Sequence, residues 1–89
     1  MLKIELYEEF GKDLGQKYKI DKLFNKLQNN SSKVEMDFSN IEFISRSFAQ
    51  EYLSRKFMVD YKIEEINVPE VVKNMFNIIL KNNDYDIRY

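Results

Sequence analysis

Hydrophobic and polar residues alternate along two short segments, and this period of two predicts β-strands. The first segment spans residues 2–7 and the second spans residues 33–38. In each, every second residue is apolar, so the apolar side chains share one face of the strand. A third strand is predicted near residues 62–67, where the alternation is poorer. The chain therefore supplies strands for a sheet with one apolar face and one polar face.

Apolar residues spaced three and four apart predict a helix after each strand. The helices are expected at about residues 16–29, at about residues 47–60, and from Pro69, the only proline, to Asn82-Asn83. The predicted buried stripes are Ile20, Leu23, Phe24 and Leu27; then Phe48, Ala49, Tyr52, Leu53 and Phe57; then Val72, Met75, Phe76, Ile79 and Leu80, widened by Val71 and Ile78.

Between these elements lie segments with turn-forming residues. Residues 7–15 are interpreted as a connection in which Gly15 takes a positive φ, and residues 29–32 are expected to end the first helix. Ser39-Asn40 predicts a turn, after which Ile41 and Phe43 are expected to enter the core. The tail, residues 84–89, is interpreted as a loose end or an added edge strand.

The order β-α-β-α-β-α in 89 residues predicts a single domain of the α/β class, spanning residues 1–89. Strands separated by helices pair in parallel, and right-handed crossovers keep every helix on one face when the strand order simply advances. We therefore expect a small two-layer sandwich with a mostly parallel sheet. Its open face or a free edge could receive a partner or a second copy of the chain.

Composition narrows the class of function. With 14 basic and 15 acidic residues the net charge is −1, which implies neither a nucleic acid nor a membrane as partner. The chain has no cysteine, no apolar run of signal-peptide length at Met1–Leu6 and no stretch that could span a bilayer. These features predict a cytoplasmic protein.

The missing residue types exclude several chemistries. The chain has no histidine and only two glycines, which excludes hydrolases built on Ser-His or Cys-His pairs and glycine-rich nucleotide loops. We expect no cofactor, no metal and no catalysis. Asp37, near the end of the second strand, is interpreted as a solvent-facing residue that helps to turn the chain into Ser39-Asn40.

Two serines stand just ahead of the second predicted helix. The pattern predicts Ser47 as the N-cap, with Gln50 three residues later completing a capping box. The alternative role for the Ser47 hydroxyl is as a phosphate acceptor or a contact with a partner, with Arg46 adjacent.

Residues 34–53, Val-Glu-Met-Asp-Phe-Ser-Asn-Ile-Glu-Phe-Ile-Ser-Arg-Ser-Phe-Ala-Gln-Glu-Tyr-Leu, resemble the core of STAS-like domains, in particular a prokaryotic family of unknown function. STAS domains proper occur in anti-sigma factor antagonists and in the cytoplasmic part of sulfate transporters. In the antagonists a partner kinase phosphorylates a serine at the start of this helix, and that serine corresponds to Ser47. Ser45 stands where the usual aspartate lies, Arg46 replaces the first serine and Phe48 replaces a glycine.

The resemblance implies a regulatory domain that docks a protein partner, with a histidine-kinase-like ATPase as the natural candidate. The expected surface is Ser45, Arg46 and Ser47, with Gln50 and Glu51 behind them. A second hypothesis is a small nucleic-acid-binding or toxin–antitoxin-type component that uses a basic segment. The lysines of that segment are Lys12, Lys17, Lys19, Lys22, Lys26 and Lys33.

Overall fold

The computed structural model describes residues 2–27 and 33–89, which form a three-stranded sheet, a two-stranded ladder and four helices. In chain order these elements are β1 (Leu2–Glu5), α1 (Leu6–Phe10), β2 (Asp13–Leu14), α2 (Lys19–Leu27), β3 (Val34–Asp37), β4 (Phe43–Ile44), α3 (Arg46–Met58), β5 (Ile63–Ile66) and α4 (Glu70–Asn82). All the predicted strands and helices are present, and the α/β class is confirmed. The predicted end of the first helix at residues 29–32 lies outside the described residues.

The main sheet is parallel, with strand order β1-β3-β5, so the order advances along the chain as predicted. The register aligns Leu2 with Val34 and Val34 with Ile63. Because side chains alternate across a strand, this register places mostly apolar residues on one face and mostly charged residues on the other, with Glu65 and Ile66 as the exceptions. The apolar face holds Leu2, Ile4, Val34, Met36, Ile63 and Glu65, and the charged face holds Lys3, Glu5, Glu35, Asp37, Glu64 and Ile66.

The three long helices pack against the apolar face of the sheet. The Tyr52 ring of α3 lies 6.1 Å from that of Phe24 on α2 and stacks at 5.5 Å on Phe76 of α4. Phe38, just after β3, meets both Tyr52 and Phe76 edge-on. Edge-to-face and stacked pairs of this kind stabilise a core beyond the burial of their area. The result is the expected two-layer arrangement.

Residues 7–15, interpreted as a plain connection, contain more structure than predicted. β1 ends at Glu5, and α1 and β2 follow; β2 pairs in parallel with β4, so that Asp13 lies opposite Phe43. A helix of five residues and a two-residue ladder are too short to show a periodicity. The positive φ is at Gly11 (78°) and not at Gly15, where a Cβ would lie 2.7 Å from the Asp13 carboxylate.

Most predicted core positions are buried, with exceptions near the ends of elements. Ile41 is buried as expected, whereas Phe43 is 48% exposed because pairing of β4 with β2 turns its ring outward. Phe57 is also exposed, in the last turn of α3. Val71 and Ile78 are exposed on α4, so its buried stripe is narrower than predicted.

The tail is neither loose nor an added strand. Its last residue, Tyr89, is held by Asn77, whose Oδ1 accepts from the Tyr89 backbone N–H at 2.7 Å. The Tyr89 ring packs on Phe76 at a centroid distance of 4.8 Å. Near the start of the tail, the Tyr85 ring lies 5.1 Å from that of Phe57. Two aromatic contacts therefore fix the tail against α3 and α4.

Candidate protein-interaction site

The serine that caps α3 is Ser45 and not Ser47, so the predicted cap position was wrong. The Ser45 hydroxyl oxygen accepts a hydrogen bond from the Phe48 backbone N–H at 3.0 Å. Its own N–H donates to the Leu14 carbonyl at 3.0 Å, which extends the β2–β4 ladder by one bond. That bond keeps Ser45 extended (φ −78°, ψ 157°), so the helix begins one residue later. The third helical residue is Phe48, and no capping box can form there.

Ser47 is left on the surface at the second position of α3. It is exposed, as is Arg46, and its hydroxyl oxygen lies 3.3 Å from that of Ser45. The first turn of α3 contains no acidic residue. The first N–H groups of a helix lack intrahelical acceptors and carry partial positive charge, so this turn favours a negative group on or near Ser47.

Gln50 and Glu51 diverge from this turn. Gln50 is exposed and lines a groove between α3 and α4. Glu51 is half-buried and faces α2, where its carboxylate lies 3.7 Å from the Lys17 ammonium and 3.2 Å from the Arg55 guanidinium. Arg55 also pairs with Asp21, and this pairing raises its pKa above the ordinary value. The structure therefore groups Ser45, Arg46 and Ser47 and places Glu51 in an ion network that joins α2 to α3.

Asp37 has a structural role at the carboxyl end of β3. Its Oδ1 accepts from the Ser39 N–H at 2.9 Å, from the Ser39 hydroxyl at 2.6 Å and from the Asn67 amide at 3.2 Å. Burial raises the pKa of Asp37, but the bonds from Ser39 and Asn67 outweigh it and hold the pKa below its ordinary value. The predicted turning role is confirmed, whereas the prediction that Asp37 faces solvent was wrong, since it is only 8% exposed.

The basic segment is interleaved with acidic and aromatic partners. Lys12 approaches Glu42, Lys17 approaches Glu51, Lys26 pairs with Glu9, Lys33 pairs with Glu64 and Lys19 lies over the Phe10 ring. The Lys33–Glu64 hydrogen bond raises the pKa of Lys33 and lowers that of Glu64. These contacts reduce the positive potential that the segment presents to a phosphate backbone.

A buried polar cluster lies at the other end of α3, and sequence reasoning missed it. The Tyr52 hydroxyl donates to Glu65 Oε2 at 2.6 Å, and the Lys56 ammonium donates to Glu65 Oε1 at 2.8 Å. The Tyr89 hydroxyl donates to Glu65 Oε2 at 3.1 Å and accepts from Lys56 at 3.0 Å. Burial, helped by the Glu65 carboxylate, raises the pKa values of Tyr52 and Tyr89. The available signal was the position of Glu65, two residues after Ile63 and thus on the apolar face of β5.

Comparison with known proteins identified no matching family model, no matching curated protein and no matching solved structure. The resemblance to STAS-like domains therefore stays a prediction. Within residues 2–27 and 33–89, no helix is long and apolar enough to cross a membrane. The same residues contain no group of three or more His, Cys, Asp or Glu side chains placed to hold a metal ion.

Proposed function

We propose that this chain is a non-catalytic regulatory domain that binds a protein partner through the first turn of α3. The observation that carries the proposal is that two neighbouring serines have different roles. Ser45 caps the helix, so the Ser47 hydroxyl is not required as the cap; it lies 3.3 Å from the Ser45 hydroxyl and remains exposed beside Arg46. Gln50 and Glu51 lie outside this surface, since Gln50 lines the groove between α3 and α4 and Glu51 faces α2.

Phosphorylation of Ser47 would regulate such a surface without unfolding it. A phosphoserine adds about −1.5 to −2 charges at neutral pH. At the second position of α3 these charges would face free N–H groups and the Arg46 guanidinium, both of which favour an anion. The modification would therefore change the charge offered to a partner while the helix persists.

The resemblance to anti-sigma factor antagonists makes a histidine-kinase-like ATPase the first partner to test. In this proposal the chain contributes a docking surface and the acceptor hydroxyl, and the partner supplies the nucleotide. No cofactor or metal on this chain takes part.

The experiment is an affinity capture from the native host with wild type, Ser47→Asp and Ser47→Ala, followed by mass spectrometry of the partners and of Ser47. Asn25→Asp is the matched control, because it adds one acidic group at an exposed helical position outside the first turn of α3 and outside the groove between α3 and α4. We expect Ser47→Asp to alter partner recovery and Asn25→Asp to leave it unchanged. Identical recovery with all four proteins and an unmodified Ser47 would refute the proposal.

The nucleic-acid hypothesis predicts a different outcome for the same chain. Retardation of DNA or RNA that weakens steeply between low and physiological salt would support binding through the basic segment. The acidic partners of its lysines weigh against that outcome.

A further inference from the structure

Exposed apolar side chains gather where the ends of α3 and α4 meet the tail. Among the described residues, five of the large exposed apolar side chains lie here: Phe57, Met58, Ile78, Tyr85 and Ile87. Tyr85 borders both a groove between α3 and α4, with a volume of about 310 Å³, and a groove between α4 and the tail, with a volume of about 1000 Å³. We call these five residues the tail face. Contiguous exposed apolar surface of this kind marks an interaction site more often than scattered single residues do.

The groove between α4 and the tail is lined by charged residues of both signs in equal numbers. Lys81 and Arg88 are basic, Asp84 and Asp86 are acidic, and all four are exposed beside the groove between α4 and the tail. A two-fold axis brings a surface against its own copy, so a face of one sign would repel itself. A border with both signs can instead place each charge opposite its complement. The net charge of −1 for the whole chain adds little long-range repulsion between copies.

We propose that the tail face is a homodimer interface, with a second copy of this chain as its occupant. An interface of standard size takes about 800 Å² from each partner, roughly a seventh of the 5605 Å² surface of this chain. Met58 is 79% exposed and projects from the end of α3, so it can enter a groove of the other copy. Ser47 lies eleven residues from Met58 along α3, roughly 17 Å at the rise of a helix, so a dimer centred on Met58 and the tail leaves the first turn of α3 free.

The first test measures mass by sedimentation equilibrium over a range of concentrations, using the full chain. Wild type should reach the mass of a dimer, and Met58→Lys with Ile87→Lys should raise the dissociation constant by at least about tenfold. Tyr18→Lys is the matched control, because Tyr18 is 70% exposed and lies outside the tail face. Circular dichroism establishes that each variant is folded. A wild type that stays monomeric, or a double variant that associates as wild type does, would overturn the proposal.

The second test uses the border charges. Lys81→Glu with Arg88→Glu makes the border acidic, and Asp84→Asn with Asp86→Lys makes it basic. Each variant alone should self-associate more weakly than wild type, whereas their mixture should form a mixed dimer, seen by native mass spectrometry. If both variants self-associate like wild type and no mixed dimer is enriched, the tail face is not the interface.

Discussion

The two ends of α3 are held by hydrogen bonds between residues at different separations in the sequence. At the N-terminal end Ser45 caps the N–H of Phe48, only three residues away. In the C-terminal half Tyr52 and Lys56 bond to Glu65, and Tyr89 at the end of the tail bonds to both Glu65 and Lys56. The capping bond at the first end is local, although the bond from Ser45 to Leu14 selects which serine makes it. The second end depends throughout on a strand and a tail that are distant in the sequence. This difference separates what a local pattern can reveal from what only the fold can reveal.

Removal of Glu65 should give the largest effect, because it leaves the buried partners of the C-terminal half unpaired. Glu65→Ala should lower the free energy of unfolding by about 3 kcal/mol. This value is at the low end of the range for breaking a buried ion pair, because Lys56 is partly exposed. The neighbouring Glu64→Ala is the control, and it should cost much less, because the Lys33–Glu64 pair is open to solvent. Urea unfolding of both variants measures the difference. Equal losses would mean that the cluster does not stabilise α3.

Substitution of Tyr89 measures how much the tail contributes to stability through its contacts with the C-terminal half of α3. Tyr89→Ala removes the ring from Phe76 and a hydroxyl from Glu65, and should cost about 2 kcal/mol for a half-buried aromatic. Tyr85→Ala, at the exposed end of the tail, should cost under about 1 kcal/mol. Thermal unfolding monitored by circular dichroism compares the two. A larger loss for Tyr85→Ala would show that the tail is fixed at its beginning.

Alkaline pH should lower the free energy of unfolding through two tyrosines of the C-terminal half. The raised pKa values of Tyr52 and Tyr89 mean that the folded chain keeps two protons that the unfolded chain releases above about pH 10. Their stabilisation is complete below that pH and is lost as the pH rises, by up to about 1.4 kcal/mol per pH unit for each group. Tyr52→Phe with Tyr89→Phe should flatten this dependence between pH 9 and 11, and Tyr85→Phe should not. An unchanged slope in the double variant would contradict the assignment.

The fold could be predicted from the sequence because the alternation of residues 2–5 and 34–37 and the stripes of the long helices depend on local spacing. The pairing of β2 with β4 could not, since two residues on each side carry no period. That missed ladder also explains the error at the candidate site. Both serines have the right chemistry for a cap, and the choice between them depends on the bond from Ser45 to Leu14, thirty-one residues earlier. The exposure of Phe43 has the same origin, since the sequence predicts a connection where β4 pairs with β2. The stripe of α3 predicts Phe57 as buried because periodicity cannot show that it lies in the last turn of its helix.

The smallest predicted effect concerns the N-terminal end, and it tests the assignment of the cap directly. Ser45→Ala removes the acceptor for the Phe48 N–H and should cost about 1 kcal/mol. Ser47→Ala deletes an exposed hydroxyl and its 3.3 Å contact with the Ser45 hydroxyl, and it should change the free energy of unfolding by less than about 0.5 kcal/mol. Because neither serine titrates, the Ser45→Ala loss should be the same at pH 7 and pH 10.5, unlike the losses at the other end of α3. If Ser47→Ala proves the more damaging of the two, then Ser47 caps the helix, and its hydroxyl is no longer free for a partner or a phosphate.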